Sequence, residues 1–218
     1  MMTSSAPRHG DRPISSWRFW LPLTLQIICV LTIPAQALYT HVSGTSVILQ
    51  TAPVDPYSLL QGYYVTLRYD ISQIEVLKAL PGWDDIEAQV SATAANPDNL
   101  VQATPIYLVL ESPESVQSGS QPNDETPTPW RPVHVYPTYP SDVLENHVVI
   151  KGVYYGSRIT YGLEQYYIPE AQRDEINERI RQVQQSGDRH SYVVEIKVAS
   201  QGISTPVRLW VDGKAYQF

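Results

Sequence analysis

One serine has surroundings that come close to those of a catalytic nucleophile. Ser58 shortly precedes Gly62, and a Ser/Lys peptidase-like enzyme would use Lys78 or Lys151 as the base. A lysine takes this role when burial removes its proton. Neither a G-x-S-x-G nucleophile elbow nor an S-x-x-K pattern occurs in the chain. An envelope hydrolase using Ser58 is therefore an alternative hypothesis, beside the simpler interpretation of Ser58 as a turn or cap residue.

The residue types that ligate metals are scattered along the chain. No H-x-x-x-H pair occurs and Cys29 is the single cysteine, so the spacing typical of zinc sites is absent. The histidines are His9, His41, His134, His147 and His190. The acidic pairs Asp84-Asp85 and Asp124-Glu125 lack the alternate oxygen ligands of a calcium loop. We therefore predict no metal ion and no cofactor.

Tyrosine is unusually frequent, with 15 residues against two phenylalanines. Two groups stand out, one at residues 57–69 and one at residues 154–167. An exposed aromatic surface of this kind stacks sugar rings or holds a partner protein, so a glycan-binding module is a second alternative. Tyrosine also suits half-buried strands, where cross-strand packing explains its frequency. Glu164, inside the second group, is predicted to pair with Arg68 or Arg158.

A segment near the N-terminus indicates on which side of a membrane these residues lie. Residues 19–39 carry no charge, and about 20 helical residues span the roughly 30 Å hydrocarbon layer of a bilayer. Arg8, Arg12 and Arg18 precede this segment, and no Lys or Arg follows it until Arg68. This asymmetry predicts a cytoplasmic N-terminus and a single pass through the membrane.

Three regions follow from that prediction. Residues 1–16 form a disordered cytoplasmic tail, residues 17–40 form the anchor, and residues 41–218 lie outside the cytoplasm. A signal peptide cleaved after Ala37 is the competing interpretation, since Ala35-Gln36-Ala37 fits the small-x-small rule. The chain carries 15 Lys and Arg against 22 Asp and Glu, a formal net charge of −7, which argues against a nucleic-acid partner.

Residues 41–218 are predicted to form a mainly β, α+β domain, either a barrel or a rolled sheet, with one clear helix. Alternating or continuous apolar patterns predict strands at residues 45–51, 63–70, 105–111, 130–136, 147–155, 158–168, 191–199 and 205–211. Pro169 opens the helix, whose apolar stripe comprises Ile176, Ile180 and Val183. A shorter helix is expected near residues 84–90. Residues 112–129 show no apolar pattern and are expected to form a disordered loop.

The segment Gly62-Tyr63-Tyr64-Val65-Thr66-Leu67-Arg68-Tyr69 resembles the bacterial family named for its GDYXXLXY motif. The matching residues are Gly62, Tyr64, Leu67 and Tyr69, while Tyr63 replaces the aspartate of the motif. A later segment also resembles the family and contributes Tyr161, Gly162, Glu164 and Tyr166. The resemblance implies a small membrane-associated protein without an established activity, often encoded beside multi-spanning membrane proteins.

These observations lead to one main functional hypothesis. The chain is expected to be a single-pass protein of a bacterial inner membrane, or of a thylakoid-type membrane. Its non-catalytic β-rich domain outside the cytoplasm would bind another envelope protein, such as a polytopic membrane protein. The uncharged segment, the tyrosine-rich strands and the lack of an assembled catalytic motif all favour this hypothesis.

Overall fold

A computed structural model describes most of the chain. The described residues are 17–52, 64–94, 103–113, 126–167, 170–186 and 192–217. The chain divides into two compact units, residues 1–38 and residues 39–218. The predicted cytoplasmic tail at residues 1–16 lies outside the described residues.

The first element is the helix α1, Trp17–Ser43. Its side chains are described from Trp17 to Thr32 and again at Val42 and Ser43. The Thr32 hydroxyl donates to the Ile28 carbonyl at 2.9 Å, one turn back along the helix. Within the described residues, no helix has both the length and the apolar character that crossing a membrane requires.

A five-stranded antiparallel sheet has the order β11-β10-β9-β1-β3. Its strands are β1 (Thr45–Ala52), β3 (Arg68–Tyr69), β9 (Tyr192–Val198), β10 (Ser204–Val211) and β11 (Lys214–Gln217). The strands predicted at residues 191–199 and 205–211 are confirmed as β9 and β10, which pair directly, and Gln201 and Gly202 in the turn between them both have positive φ. The long β-branched stretches of β1 and β9 bury Val47, Leu49 and Val194 completely or nearly so.

A second antiparallel sheet has the order β5-β4-β6-β7, and a separate ribbon pairs β2 with β8. The strands are β2 (Tyr64–Thr66), β4 (Thr104–Glu111), β5 (Arg131–Tyr136), β6 (His147–Tyr154), β7 (Ile159–Thr160) and β8 (Gln165–Tyr167). In β4 the side chains of Ile106, Leu108 and Leu110 are fully buried, because alternate residues of a strand share one face.

The described residues contain three further α-helices: α2 (Ile74–Lys78), α3 (Trp83–Ala94) and α4 (Glu170–Ser186). The predicted apolar stripe of α4 is confirmed, since Ile176, Ile180 and Val183 are all buried. Helix α3 confirms and lengthens the short helix expected near residues 84–90. Its first turn holds Asp84 and Asp85, where carboxylates stabilise the helix dipole.

The prediction of a mainly β, α+β domain is confirmed, but the strands do not close into a barrel. They form separate antiparallel sheets, so of the two predicted architectures the barrel is wrong. The predicted strand at residues 63–70 is divided between β2 and β3, which belong to different sheets. The predicted strand at residues 158–168 is likewise interrupted between β7 and β8.

The predicted loop at residues 112–129 is described only at its two ends. Ser112 and Pro127 are buried there, and the Thr126 hydroxyl accepts a hydrogen bond from the Gly213 amide at 2.9 Å. Residues 114–125 lie outside the described residues. Both ends of this connection are therefore fixed to the domain.

Candidate functional site

The two tyrosine-rich parts of the sequence meet in space. We call residues 64–69 the motif segment and residues 161–167 the second segment. Strands β2 and β8 pair with the register Tyr64↔Tyr167, Val65↔Tyr166 and Thr66↔Gln165. The Leu67 amide then donates to the Glu164 carbonyl at 2.9 Å, which continues the contact beyond the ribbon.

Two tyrosine hydroxyls connect these segments in opposite directions. Tyr69 donates from the motif segment to the Leu163 carbonyl at 2.8 Å. Tyr161 donates from the second segment to the carbonyl of Ile71, just beyond the motif segment, at 2.9 Å. Both rings are buried. Each phenol therefore satisfies a backbone carbonyl in the interior, where an unpaired carbonyl is costly.

Tyr161 is held as a neutral phenol. Burial raises its pKa well above the usual value near 10, and the nearby Glu164 carboxylate raises this pKa further. The Tyr161 ring also packs against Gly152, where an added Cβ would lie 2.8 Å from Cε1 of the ring. A larger residue at position 152 would displace the ring. Tyr161 thus has a structural role and is unsuited to act as an acid or base.

The Glu164 carboxylate accepts a hydrogen bond within its own turn. Its Oε1 accepts a hydrogen bond from the Tyr161 amide at 2.6 Å, and Gly162 within this turn has a φ of 74°. A positive φ favours glycine because it lacks the Cβ that crowds the backbone. The ion pair predicted for Glu164 with Arg68 or Arg158 is wrong, since no such pair is found among the described residues; one oxygen of Glu164 instead accepts from the Tyr161 amide.

A groove of about 730 Å³ lies against these segments. Its lining comprises Leu67, Arg68, Tyr69, Ser72, Gln73, Ser157, Arg158, Ile159, Thr160, Gly162, Glu164 and Gln165. The motif segment and the second segment each contribute residues, and β3 and β7 are the terminal strands of their two sheets. The groove is therefore open to solvent at the ends of two sheets.

The groove carries more positive than negative charge. Among the described residues of the lining, Arg68 and Arg158 are both exposed, and Glu164 is the single carboxylate. The guanidinium of Arg158 lies 5.5 Å from the centre of the Tyr155 ring, within the range of a cation–π contact. A guanidinium fork binds carboxylates and phosphates with two parallel hydrogen bonds. The groove is suited to binding an anionic group.

The structure brings together most of the predicted site residues that it describes. Leu67, Tyr69, Tyr161, Gly162 and Glu164 lie at the groove or in the hydrogen bonds beneath it. Tyr64 and Tyr166 are described as backbone only, as facing residues of the β2–β8 ribbon. Gly62 lies outside the described residues, as does the proposed nucleophile Ser58.

Sequence reasoning missed the two arginines of the groove as binding residues. Alternation along residues 63–70 placed Arg68 on the face opposite Leu67 and Tyr69, which is the signal that identifies it as exposed. Arg158 gave no such signal, because it precedes a strand of two residues.

No metal site is formed by the residues that the structure describes, where no group of three or more His, Cys, Asp or Glu is arranged to hold an ion. His134 lies on β5 and stacks on Tyr136 with the ring centres 4.0 Å apart. His147 lies on β6 and shares a hydrogen bond with Asn146. Both histidines therefore have ordinary structural partners.

The fold and the groove define a class of protein: a small mainly β domain that follows an N-terminal helix and presents an open, arginine-containing groove. The sequence model of the GDYXXLXY proteins matches residues 26–209, most of this chain. The chain therefore belongs to the GDYXXLXY family. Comparisons with curated proteins and with solved structures gave no match.

Proposed function

We propose that this chain is a membrane-anchored, non-catalytic binding protein whose β-rich domain lies outside the cytoplasm. The domain binds another envelope protein, with a polytopic membrane protein as the preferred partner. The observation that carries the proposal is the groove at the motif segment, because it combines open sheet ends with two exposed arginines. Such a surface offers hydrogen bonds and charge to a partner without an assembled catalytic group.

The anchor proposal rests on the uncharged sequence of residues 19–39 and on the helical backbone of α1. No helix within the described residues meets the length and apolar character of a membrane span, so the support comes from the sequence: as a helix, the 21 uncharged residues 19–39 would be about 30 Å long, the thickness of a hydrocarbon layer. Large apolar side chains along α1 are exposed, and in water such a surface is unfavourable. They include Trp17, Phe19, Trp20, Leu21, Leu25, Ile27, Ile28, Val30 and Leu31. Lipid is the occupant that this composition favours.

Affinity purification from detergent-solubilised membranes tests the proposed binding. The full chain is compared with the Arg68→Gln and Arg158→Gln variants, and Arg181→Gln is the matched control because Arg181 is an exposed arginine outside the groove lining. We expect a membrane protein to be enriched with the full chain and with the control, and to be depleted with the groove variants. Enrichment of no protein with the full chain would contradict the proposal.

Two measurements test the anchor and the topology. Intact-mass analysis of membrane-extracted protein distinguishes the whole chain from a product that begins near Leu38. A membrane-impermeant thiol reagent then tests a Cys29→Ser, Glu178→Cys variant in intact cells, since Glu178 is exposed on α4. We expect labelling without lysis. Labelling that requires lysis would show that the domain faces the cytoplasm.

The Ser/Lys hydrolase remains an untested alternative, because Ser58 is not among the described residues. The glycan-binding alternative needs tyrosine faces open to solvent. The rings of Tyr69, Tyr154 and Tyr161 are buried and their hydroxyls donate to backbone carbonyls. These three tyrosines are therefore committed to packing, and no described observation favours sugar binding over protein binding.

A further inference from the structure

We infer that the domain makes a contact of its own with the membrane, through the loop between β5 and β6. Residues 137–146 form this loop, which we call the β5–β6 loop. Its exposed apolar side chains are Tyr139, Val143 and Leu144, and they insert into the headgroup region of the bilayer. This inference rests on the anchor in the proposed function, and it adds a lipid-contacting surface that is separate from the groove.

The exposed large apolar side chains described within residues 39–218 come from two short stretches of the chain. They are Val42 in the last turn of α1 and the loop residues Tyr139, Val143 and Leu144. Val42 is 75% exposed and Leu144 is 69% exposed. Single apolar side chains are ordinary on a soluble surface, whereas a contiguous group marks an interaction site for a protein or a membrane.

Two cavities connect the loop with the end of α1. A cavity of about 260 Å³ is lined by Ser43, the last residue of α1, and by Tyr139 and Val143. A cavity of about 280 Å³ is lined by Val143 and Leu144. Because Val143 lines both cavities, the three exposed side chains of the loop and the last residue of α1 belong to one surface.

The distance along the chain places this surface at the boundary of the membrane. In the proposed anchor, residues 19–39 occupy the hydrocarbon layer. Ser43 lies four residues beyond Tyr39 in the same helix, which is about 6 Å at a rise of 1.5 Å per residue. The headgroup region is about 5–7 Å thick on each side of the hydrocarbon layer. Ser43 is therefore at the level of the headgroups, and the loop that shares a cavity with it is within reach of lipid.

Backbone and ring contacts hold the loop against the domain. The His147 amide donates to the Leu144 carbonyl at 2.9 Å. The Tyr139 ring meets the Tyr107 ring edge to face, with the ring centres 5.7 Å apart. The exposure of the apolar side chains is thus part of the fold, and a loop that is already ordered loses less conformational entropy on binding.

The residue types of the loop favour shallow contact with lipid. Tyrosine suits the interface of a bilayer because its ring is apolar and its hydroxyl is polar. The loop contains the acidic residues Asp142 and Glu145 and has no Lys or Arg. Attraction to anionic lipid therefore contributes nothing, and insertion of apolar side chains supplies the contact. The occupant that we assign to this surface is a bilayer of zwitterionic lipid.

Fluorescence quenching by nitroxide-labelled lipids tests the inference with the full chain in phosphatidylcholine vesicles. The fluorophore bimane is attached at position 144 in a Cys29→Ser, Leu144→Cys variant. We expect stronger quenching by a nitroxide near the headgroup end of the acyl chain than by one near its tip. The matched control is a Cys29→Ser, Glu178→Cys variant, in which we expect little quenching by either lipid.

The control position is far from the proposed lipid contact. Glu178 is exposed on α4, close to Ile180. The Ile180 carbonyl accepts from the Tyr192 hydroxyl at 2.8 Å, and the Tyr192 carbonyl accepts from the Thr51 hydroxyl at 2.9 Å. Thr51 lies about 20 Å along β1 from Thr45, which lines the first cavity. A label at position 178 therefore reports on the opposite end of β1.

The native cysteine tests the anchor separately, because Cys29 is the midpoint of the uncharged residues 19–39. With bimane on Cys29 of the unmodified chain, we expect the deeper nitroxide to quench more strongly. Quenching at Cys29 without quenching at position 144 would leave the anchor in place and overturn this inference. Absence of quenching at both positions would overturn the anchor and this inference together.

A loop variant tests whether the apolar side chains make the contact. Tyr139→Ser and Val143→Ser are combined with the label at position 144, and we expect most of the lipid quenching to be lost. The melting temperature is expected to stay unchanged, because both side chains are exposed. Undiminished quenching in this variant would overturn the inference, as would a loss of quenching that accompanies loss of the fold.

Two further outcomes identify a different occupant. Bimane emission at position 144 that shifts to the blue without lipid quenching would show that another protein surface, such as a second copy of the chain, covers the loop. Stronger quenching in phosphatidylglycerol than in phosphatidylcholine vesicles at low salt would show that charge attraction supplies the contact. Either result would overturn the inference.

Discussion

Two regions of the domain combine tyrosine with glutamate and use the combination differently. In the first, Tyr161 donates to a buried backbone carbonyl while Glu164 accepts from the Tyr161 amide. In the second, the Tyr216 hydroxyl donates to the Glu175 carboxylate at 3.1 Å, and Lys214 binds the same carboxylate oxygen. Glu175 is exposed, so water competes for every bond in the second region. Similar residue types thus define a buried structural junction in one place and a surface contact in the other.

The largest expected effect is that of Tyr161→Ala. The substitution removes a buried ring and the hydroxyl that satisfies Ile71, so we expect a loss of about 3–5 kcal/mol in the free energy of unfolding. Urea denaturation followed by circular dichroism measures it. A loss no greater than that of an exposed-surface substitution would remove the distinction between the two regions.

Alkaline pH is expected to destabilise the domain through its buried phenols. Burial, together with the charge of Asp212, raises the pKa of Tyr192 from its usual value of 10.0 to about 12. The unfolded chain releases this proton above pH 10 while the folded chain keeps it. The stabilisation is therefore complete below pH 10 and is lost as the pH rises towards 12.

Denaturation midpoints at several pH values above 9 test this expectation, with Tyr192→Phe as the comparison. We expect the slope of stability against pH to be smaller in the variant. Identical slopes in the two chains would show that Tyr192 is not the group responsible.

The matched pair Tyr69→Phe and Tyr216→Phe compares the two regions directly. Tyr69→Phe leaves the buried Leu163 carbonyl without its donor, and we expect a cost of about 1–3 kcal/mol. Tyr216→Phe leaves a carboxylate that water and Lys214 still satisfy, so its cost is expected to be smaller. Equal costs from thermal or chemical denaturation would mean that burial of the acceptor does not decide the energy.

The smallest expected effect is that of Glu175→Gln. Hydrogen bonds from Lys214 and Tyr216 lower the pKa of Glu175. Its stabilisation is therefore present above the ordinary carboxyl pKa and is lost as the pH falls through the lowered value. Because solvent screens exposed pairs, we expect no resolvable change in melting temperature at neutral pH. A clear decrease there would show that the surface contact matters more than its exposure indicates.

Local sequence patterns predicted most of the strands but not their interruptions. The apolar stretches of β1, β4 and β9 identify themselves by residue type. The residues around Leu67 do not predict that β2 ends there. The interruption depends on the hydrogen bond from the Leu67 amide to the carbonyl of Glu164, which lies far along the chain. Residues of the two faces alternate in the same way before and after the interruption, so no local sequence rule separates β2 from β3.

The C-terminal strand β11 was missed despite a usable signal. Asp212 and Gly213 both have positive φ between β10 and β11, and Asp-Gly between strands is typical of a tight hairpin. The groove was beyond prediction for a different reason. Arg68 and Arg158 belong to distant parts of the sequence, and only the tertiary pairing of the two segments places them on one surface.

The hydrogen bonds of the Tyr69 and Tyr161 hydroxyls determine how much of the chain must be present before the groove can form. Tyr69 reaches a carbonyl 94 positions away, and Tyr161 reaches one 90 positions away. Contacts between residues so far apart in the sequence close large loops, whose entropy cost slows folding. A nascent or proteolytically shortened chain that ends before Tyr161 therefore lacks the second segment and the part of the groove that it lines. The groove is therefore complete only after synthesis has passed the second segment.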